Sequence, residues 1–157
     1  MPAFEFFESI PRLQRRVDAL EAAIESAYAA AGPHGQQLGT IGGGHGHDAL
    51  AGIDSIVDSN ATLELDRARY DLETRLDLAS DVLYGRSGRG GVARMLDWDG
   101  ADMLHRHYLC GESWAGICRD IGPDDESVAN MTLWCERKAE RLCRQIDRLG
   151  MGYLADS

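Results

Sequence analysis

Apolar residues recur along most of this chain at the spacing of a helix. From Ile10 they fall at Leu13, Val17, Leu20, Ile24, Ala27 and Ala31, with steps of 3 and 4 in alternation. That is a heptad seam on one helical face. Ser9 stands where an N-cap would, Pro11 falls in the first turn, and Gly32-Pro33 stops the pattern, so a helix is predicted over 9–31. A second pattern covers 48–84. Leu50, Ile53 and Val57 open it, and Leu65, Ala68, Leu72, Leu76, Ala79 and Leu83 continue it as one stripe with most charges off it. Gly52 and Asn60 are weak points, so one helix or two are compatible with it. The two seams are expected to pack against each other, or against copies in an oligomer.

Between them, residues 32–47 read GPHGQQLGTIGGGHGH, with seven Gly in sixteen positions. That much Gly opposes both a helix and a packed strand, so a flexible connector is expected. A P-loop needs Lys and Ser/Thr after its last Gly; here His47-Asp48 follows, and no nucleotide site is expected. GRSGRGG at 85–91 ends the second pattern. Shorter helical segments follow, at 92–96, around Met103, Leu104, Tyr108 and Leu109, and at Trp114, Ile117, Cys118 and Ile121. Gly122-Pro123 makes a break, and Asp124 is placed to cap a last helix reaching about Arg148. Its apolar face is Val128, Met131, Cys135, Ala139, Leu142 and Ile146, with Gly150 ending it. Nothing alternates as a strand does. The expected fold is all-α: long N-terminal helices, a helical hairpin or coiled-coil-like, followed by a C-terminal helix-turn-helix. The expected division is an oligomerisation or extension region over 1–84 and a helix-turn-helix domain over 85–157.

Composition narrows the function. The 157 residues are 44% apolar, enough for one core, and the net charge is -10. That charge opposes non-specific attraction to phosphates or an anionic membrane surface. No apolar run approaches the ~20 residues that span a bilayer, and no basic-then-apolar start is present. A cytoplasmic protein without a membrane partner is therefore expected. The four cysteines follow the spacing C-x7-C-x16-C-x7-C. Structural zinc prefers pairs two to four residues apart, and Cys135 and Cys143 lie ~12 Å apart by helix rise. All four are expected as thiols. His45 and His47 on the Gly-rich stretch lack further ligands. With no nucleophile elbow, no HExxH and no clear carboxylate pair, no enzyme, metal or cofactor is expected.

The C-terminal third carries the most information. A helix ending near Tyr108-Leu109, a turn at Gly111, a short helix over 113–121, a turn at Gly122-Pro123 and a longer helix make a helix-turn-helix layout. The stretch LHRHYLCGESWAGICRDIGPDDESVANMTLWCERKAERL resembles the DNA-reading region of primary sigma factors. It is more similar still to phage transcriptional activators of the RinA and ArpU type. The residues that carry this are Tyr108-Leu109, Gly111, Ser113-Trp114, Ile117 and Gly122, preceded by Val82-Leu83-Tyr84-Gly85 and Gly90-Gly91-Val92. The match is specific over about 80–148 and holds in outline only before that.

The resemblance implies a phage or prophage transcription regulator that binds promoter or operator DNA, with RNA polymerase and a second copy as further partners. It places Asp125, Glu126, Ser127, Ala129 and Asn130 at the DNA-reading positions. Glu126 suits a cytosine amine and Asn130 an adenine. Sigma factors commonly carry Arg where this chain has Asp125, Ser127 and Ala129. The acids at 124–126 equally suit a helix N-terminus, whose dipole favours negative charge. Arg137, Lys138 and Arg141 on the last helix are candidate DNA contacts. Arg86, Arg89 and Arg94 around the Gly-rich turn are candidate phosphate contacts. Tyr108, Trp114, Ile117, Ile121 and Val128 are the expected core of the motif. The acidic balance favours a second reading, a protein-interaction or packaging adaptor that keeps the helix-turn-helix as a scaffold.

Overall fold

The computed structural model of the protein describes residues 1–30, 47–122 and 128–157, with backbone alone for 47–58 and Val128. Among them are α1 (Ala3–Ala30), α2 (His47–Tyr84), α3 (Gly91–Met95), α4 (Trp98–Leu104) continued by a π-helical turn (His105–Leu109), α5 (Trp114–Ile121), α6 (Val128–Leu149) and α7 (Met151–Ala155). No strand occurs among the described residues, so the chain is all-α, with the long N-terminal helices the apolar spacing predicted. The Gly-rich stretch before His47 and the Pro123-Asp124 break with its cap lie outside the described residues.

The first helix starts six residues earlier than Ser9, and Pro11 sits inside it. Ala3, Phe6, Phe7 and Ile10 are all buried. Burying such apolar side chains stabilises by about 1.5–3 kcal/mol each, which outweighs the roughly 3 kcal/mol of an interior Pro. Ser9 is therefore not a cap. Its hydroxyl donates to the Phe6 carbonyl at 2.5 Å and accepts from Arg75 Nη1 at 2.6 Å. The helix start is capped across the fold instead, where the Ala3 N–H donates to Asp147 Oδ1 at 2.7 Å.

The chain divides into two compact units, Met1–Arg12 with Leu72–Ser157, and Leu13–Asp71. The boundary differs from one at 84/85, because the ends of both long helices carry apolar residues that belong with the C-terminal helices. In the first unit the buried set includes Phe7, Ala79, Val82, Leu83, Val92, Met103, Leu104, Tyr108, Ile117, Ala139, Leu142, Ile146 and Leu154. In the second, Val17, Leu65 and Ala68 are buried, and Arg16–Glu64 and Arg69–Glu21 bridge the two helices at 2.7 Å each. Of the first seam, Leu13, Leu20 and Ile24 are half-buried and Ala27 is exposed. The second helix passes Gly52 and Asn60 unbroken.

One expectation on cysteine is corrected. Cys118 on α5 and Cys135 on α6 form a disulfide, their Cα atoms 6.5 Å apart, within the span such a bond allows. The thiol expectation rests on a reducing compartment, and helix rise excludes only a Cys135–Cys143 bond; the bonded partners come from two packed helices. Cys110 is a free exposed thiol and Cys143 a free buried one. Burial, then the charges of Asp147 and Glu140, pushes the Cys143 thiol up to about 12. Because the thiolate is the reactive form, a maleimide should label Cys110 rapidly in the native protein and Cys143 only on unfolding. Equal native rates, read by mass spectrometry, would contradict that burial.

Candidate nucleic-acid interface

The π-helical turn aims two consecutive side chains, Arg106 and His107, at α5 and the residues just before it. Arg106 donates from Nε to Glu112 Oε2 at 2.7 Å and from Nη2 to Glu112 Oε1 at 2.6 Å. The same Nη2 reaches Asp120 Oδ2 at 2.5 Å. His107 Nδ1 lies 2.7 Å from the Glu112 carbonyl, and its ring stacks on Trp114 with centroids 3.7 Å apart. Ser113 caps α5, its hydroxyl accepting from the Gly116 N–H at 3.2 Å. One turn of π-helix thus holds both ends of α5, and α5 carries α6 through the Cys118–Cys135 pair.

The hydrogen bonds from Arg106 hold the Glu112 carboxyl below the ordinary carboxylate value. A carboxyl lowered in the folded state adds stability above its unfolded pKa, and that stability is lost as pH falls through the folded value. The melting midpoint should therefore decline below about pH 5. Arg106→Gln should lower the midpoint at neutral pH and flatten that acid limb. Parallel limbs in the two proteins would mean that the Arg106–Glu112 pair does not set the acid limb.

The last long helix, α6, has three faces. Its buried face is Cys135, Ala139, Leu142, Cys143 and Ile146. Glu136, Glu140 and Asp147 flank it on one side. The outer face is Asn130, Trp134, Arg137, Arg141, Arg144 and Arg148, at steps of 4, 3, 4, 3 and 4. Trp134 is half-buried and the other five are exposed. No carboxylate falls on this stripe. Arg144 lies 3.9 Å from Glu140; Arg137, Arg141 and Arg148 have no ion pair among the described residues. Like charges four apart on a helix oppose each other by about 0.2–0.5 kcal/mol, so this arrangement is not one that stability alone favours.

Of the sequence-predicted contacts, Ala129 and Asn130 are exposed in the first turn of α6, and Arg137 and Arg141 are on its outer face. Asp125, Glu126 and Ser127, and the Val128 side chain, lie outside the described residues. Lys138 is engaged within the fold. Its ammonium is 3.0 Å from Asp97 and lies over the Trp134 ring at 5.4 Å. Burial raises the Asp97 carboxyl, but the hydrogen bonds from Lys138 and the Gly100 N–H outweigh it and leave the group below its ordinary value. Of the motif core, Tyr108 and Ile117 are buried and Ile121 is half-buried. Trp114, expected as core, is only half-buried and lines a cavity.

The Gly-rich turn is committed elsewhere. The N–H groups of Arg86, Gly88, Arg89, Gly90 and Gly91 donate to Ala155 O, Gly85 O, Ser87 Oγ, Tyr84 O and Ser157 Oγ. Arg86 pairs with Asp156 at 2.8 Å and Asp81 at 3.5 Å, and Arg94 donates to the Arg89 carbonyl. A backbone already donating inside the fold offers little to a phosphate. Sequence reasoning missed Asp147 as a cap, Arg106 as a hub and Asp97 as the partner of Lys138, since each acts across more than five residues of chain. A helical projection of α6 separates Lys138 from Arg137, Arg141, Arg144 and Arg148 and shows the stripe.

Neither a family model, nor a curated protein, nor a solved structure matches this chain. Among the described residues, no helix is long and apolar enough to cross a membrane, and no group of three or more His, Cys, Asp or Glu is placed to hold a metal ion.

Proposed function

We propose that this chain binds duplex DNA through the outer face of α6 and acts as a transcription regulator of the phage type that its C-terminal third resembles. One observation carries the reading. In a chain of net charge -10, four arginines and an asparagine share one exposed stripe without a carboxylate among them. Arg137 to Arg148 spans ~17 Å of helix, long enough to follow several phosphates of a duplex that carries one charge per ~1.7 Å. Asn130 at the start of the stripe is the base-reading candidate, as Asn pairs bidentately with adenine. α5 and α6 then serve as the two helices of a helix-turn-helix. A second copy would complete the pair of half-sites such motifs use, and RNA polymerase is the further partner. The mechanism is binding, without chemistry.

Fluorescence anisotropy against duplex fragments of the protein's own genomic neighbourhood, at two salt concentrations, tests the reading. Contacts to three or four phosphates give a slope of log affinity on log salt of roughly -3. One fragment should also survive non-specific competitor. Absence of binding at low salt would turn the assignment toward a protein-interaction adaptor.

A further inference from the structure

On the acidic flank of α6, a cavity of about 160 Å³ opens between α1, the π-helical turn, α5 and α6. Phe4 and Glu8 line it from α1, Tyr108 from the π-helical turn, Trp114 from α5, and Glu136, Ala139 and Glu140 from α6. The i, i+4 spacing of Phe4 and Glu8, and the 136/139/140 set, put all these side chains on facing helix surfaces. Ala139 contributes only a methyl, which leaves the space open. The Tyr108 and Trp114 rings stand at 85° with centroids 6.0 Å apart, two walls of a corner. The Tyr108 hydroxyl donates to Glu8 Oε1 at 3.4 Å.

No basic residue lines the cavity. Arg12 lies 3.7 Å from Glu8 and Arg144 lies 3.9 Å from Glu140, both well exposed, and Glu136 has no ion pair among the described residues. The Tyr108 phenol is held above its ordinary value, by burial first and then by the Glu8 charge, with Cys143 and Glu136 adding to it. The carboxylates of Glu8, Glu136 and Glu140, with no basic residue in the lining, make the field in the cavity negative. Aromatic faces with carboxylates around them attract a cation. Among cations a guanidinium fits best, because it stacks on rings and pairs with carboxylates through a planar fork.

We propose that this cavity is a binding site for an arginine side chain presented by a basic segment of a partner protein. The size argues for a tethered head group. Small-molecule pockets run to about 300–1,000 Å³, and this cavity takes a side chain end and little more. The rest of the partner then lies outside, along the surface that Glu8, Glu136 and Glu140 make acidic. The site is on the acidic flank of α6 beside the proposed DNA face, where Glu140 lies 3.9 Å from Arg144, and it does not depend on that reading.

The test is a titration of the full chain, ¹⁵N-labelled, with acetyl-Gly-Gly-Arg-Gly-Gly-amide, following the Trp114 indole N–H signal assigned with Trp114→Phe. Saturable movement in the millimolar range is expected, with no movement for the citrulline peptide, which keeps the shape and lacks the charge. Glu136→Gln with Glu140→Gln should weaken binding about tenfold or more, and Glu8→Gln should weaken it independently. Glu8→Gln should leave DNA affinity unchanged, since Glu8 is on α1 and lies near Arg12 rather than near the arginines of α6. Equal response to the citrulline peptide, no response by about 10 mM, or undiminished binding in the glutamine variants would overturn the site. Agmatine should bind more weakly than the peptide; agmatine binding as tightly would assign the cavity to a free amine and overturn the protein-partner reading.

Discussion

Gly91→Ala should destabilise the protein far more than Gly88→Ala, although the two glycines are three residues apart in one turn. Both have positive φ, +63° and +69°, which for an L-residue costs about 1–2 kcal/mol. They differ in their surroundings. A Cβ on Gly88 meets nothing within 4 Å, whereas one on Gly91 falls 2.6 Å from each of three backbone atoms, Gly85 N, Leu83 C and Tyr84 N. Backbone does not rotate aside as a side chain does. The junction of α2 and α3 must then move, and Val92 and Leu83, both fully buried, move with it. The expected loss is ~1–2 kcal/mol for Gly88→Ala and 3 kcal/mol or more, roughly, for Gly91→Ala. Chemical denaturation of the two variants decides it. Equal losses would mean that the close approach at 85–91 is not a feature of the fold.

Phe7→Ala should cost about 3–5 kcal/mol, the range for removing a fully buried aromatic. Phe7 is 0% exposed and packs on Tyr108 with ring centroids 5.7 Å apart and on Phe6 at 5.4 Å. For a chain of this size the melting midpoint should drop by roughly 10 °C. The result bears on more than one side chain. It decides whether the first turns of α1 are part of the core around Tyr108 or belong to a separate extension. An unchanged midpoint would detach them. For the same reason, deleting residues 1–31 should do more than change the oligomeric mass, since it removes Phe6, Phe7 and Ile10 from a core and leaves Asp147 without the N–H it caps.

Much of this fold is legible in the sequence, and the misses have physical causes. The second seam names Leu65, Ala68, Leu72, Leu76, Ala79 and Leu83; five are buried and Leu76 is half-buried. On the last helix the predicted inward face has Cys135, Ala139, Leu142 and Ile146 buried and Met131 half-buried, while the Val128 side chain lies outside the described residues. The start of α1 was misplaced because Ser9 and Pro11 carry strong local signals, while the Phe6, Phe7 and Ile10 spacing that overrides them depends on residues more than 60 positions away. The site is less legible. Exposure of Arg137 and Arg141 follows from helical phase, but the capture of Lys138 by Asp97 and the opening of Trp114 onto a cavity are products of packing between helices. The Cys118–Cys135 bond was not legible either: the thiol expectation came from the compartment, and the contact that brings the pair together is between two helices.

The proposed function places the outer face of α6 against phosphate. Its most direct test is the salt dependence of DNA affinity for the wild-type chain and for Arg137→Gln, Arg141→Gln, Arg148→Gln together. These three side chains are exposed and make no ion pair among the described residues, so the triple variant should fold with an unchanged circular dichroism spectrum. If they contact phosphate, affinity falls and the slope of log affinity on log salt flattens by about 3. If the slope is the same in both proteins, the arginine stripe is a solvated surface and any DNA binding must lie elsewhere on the chain.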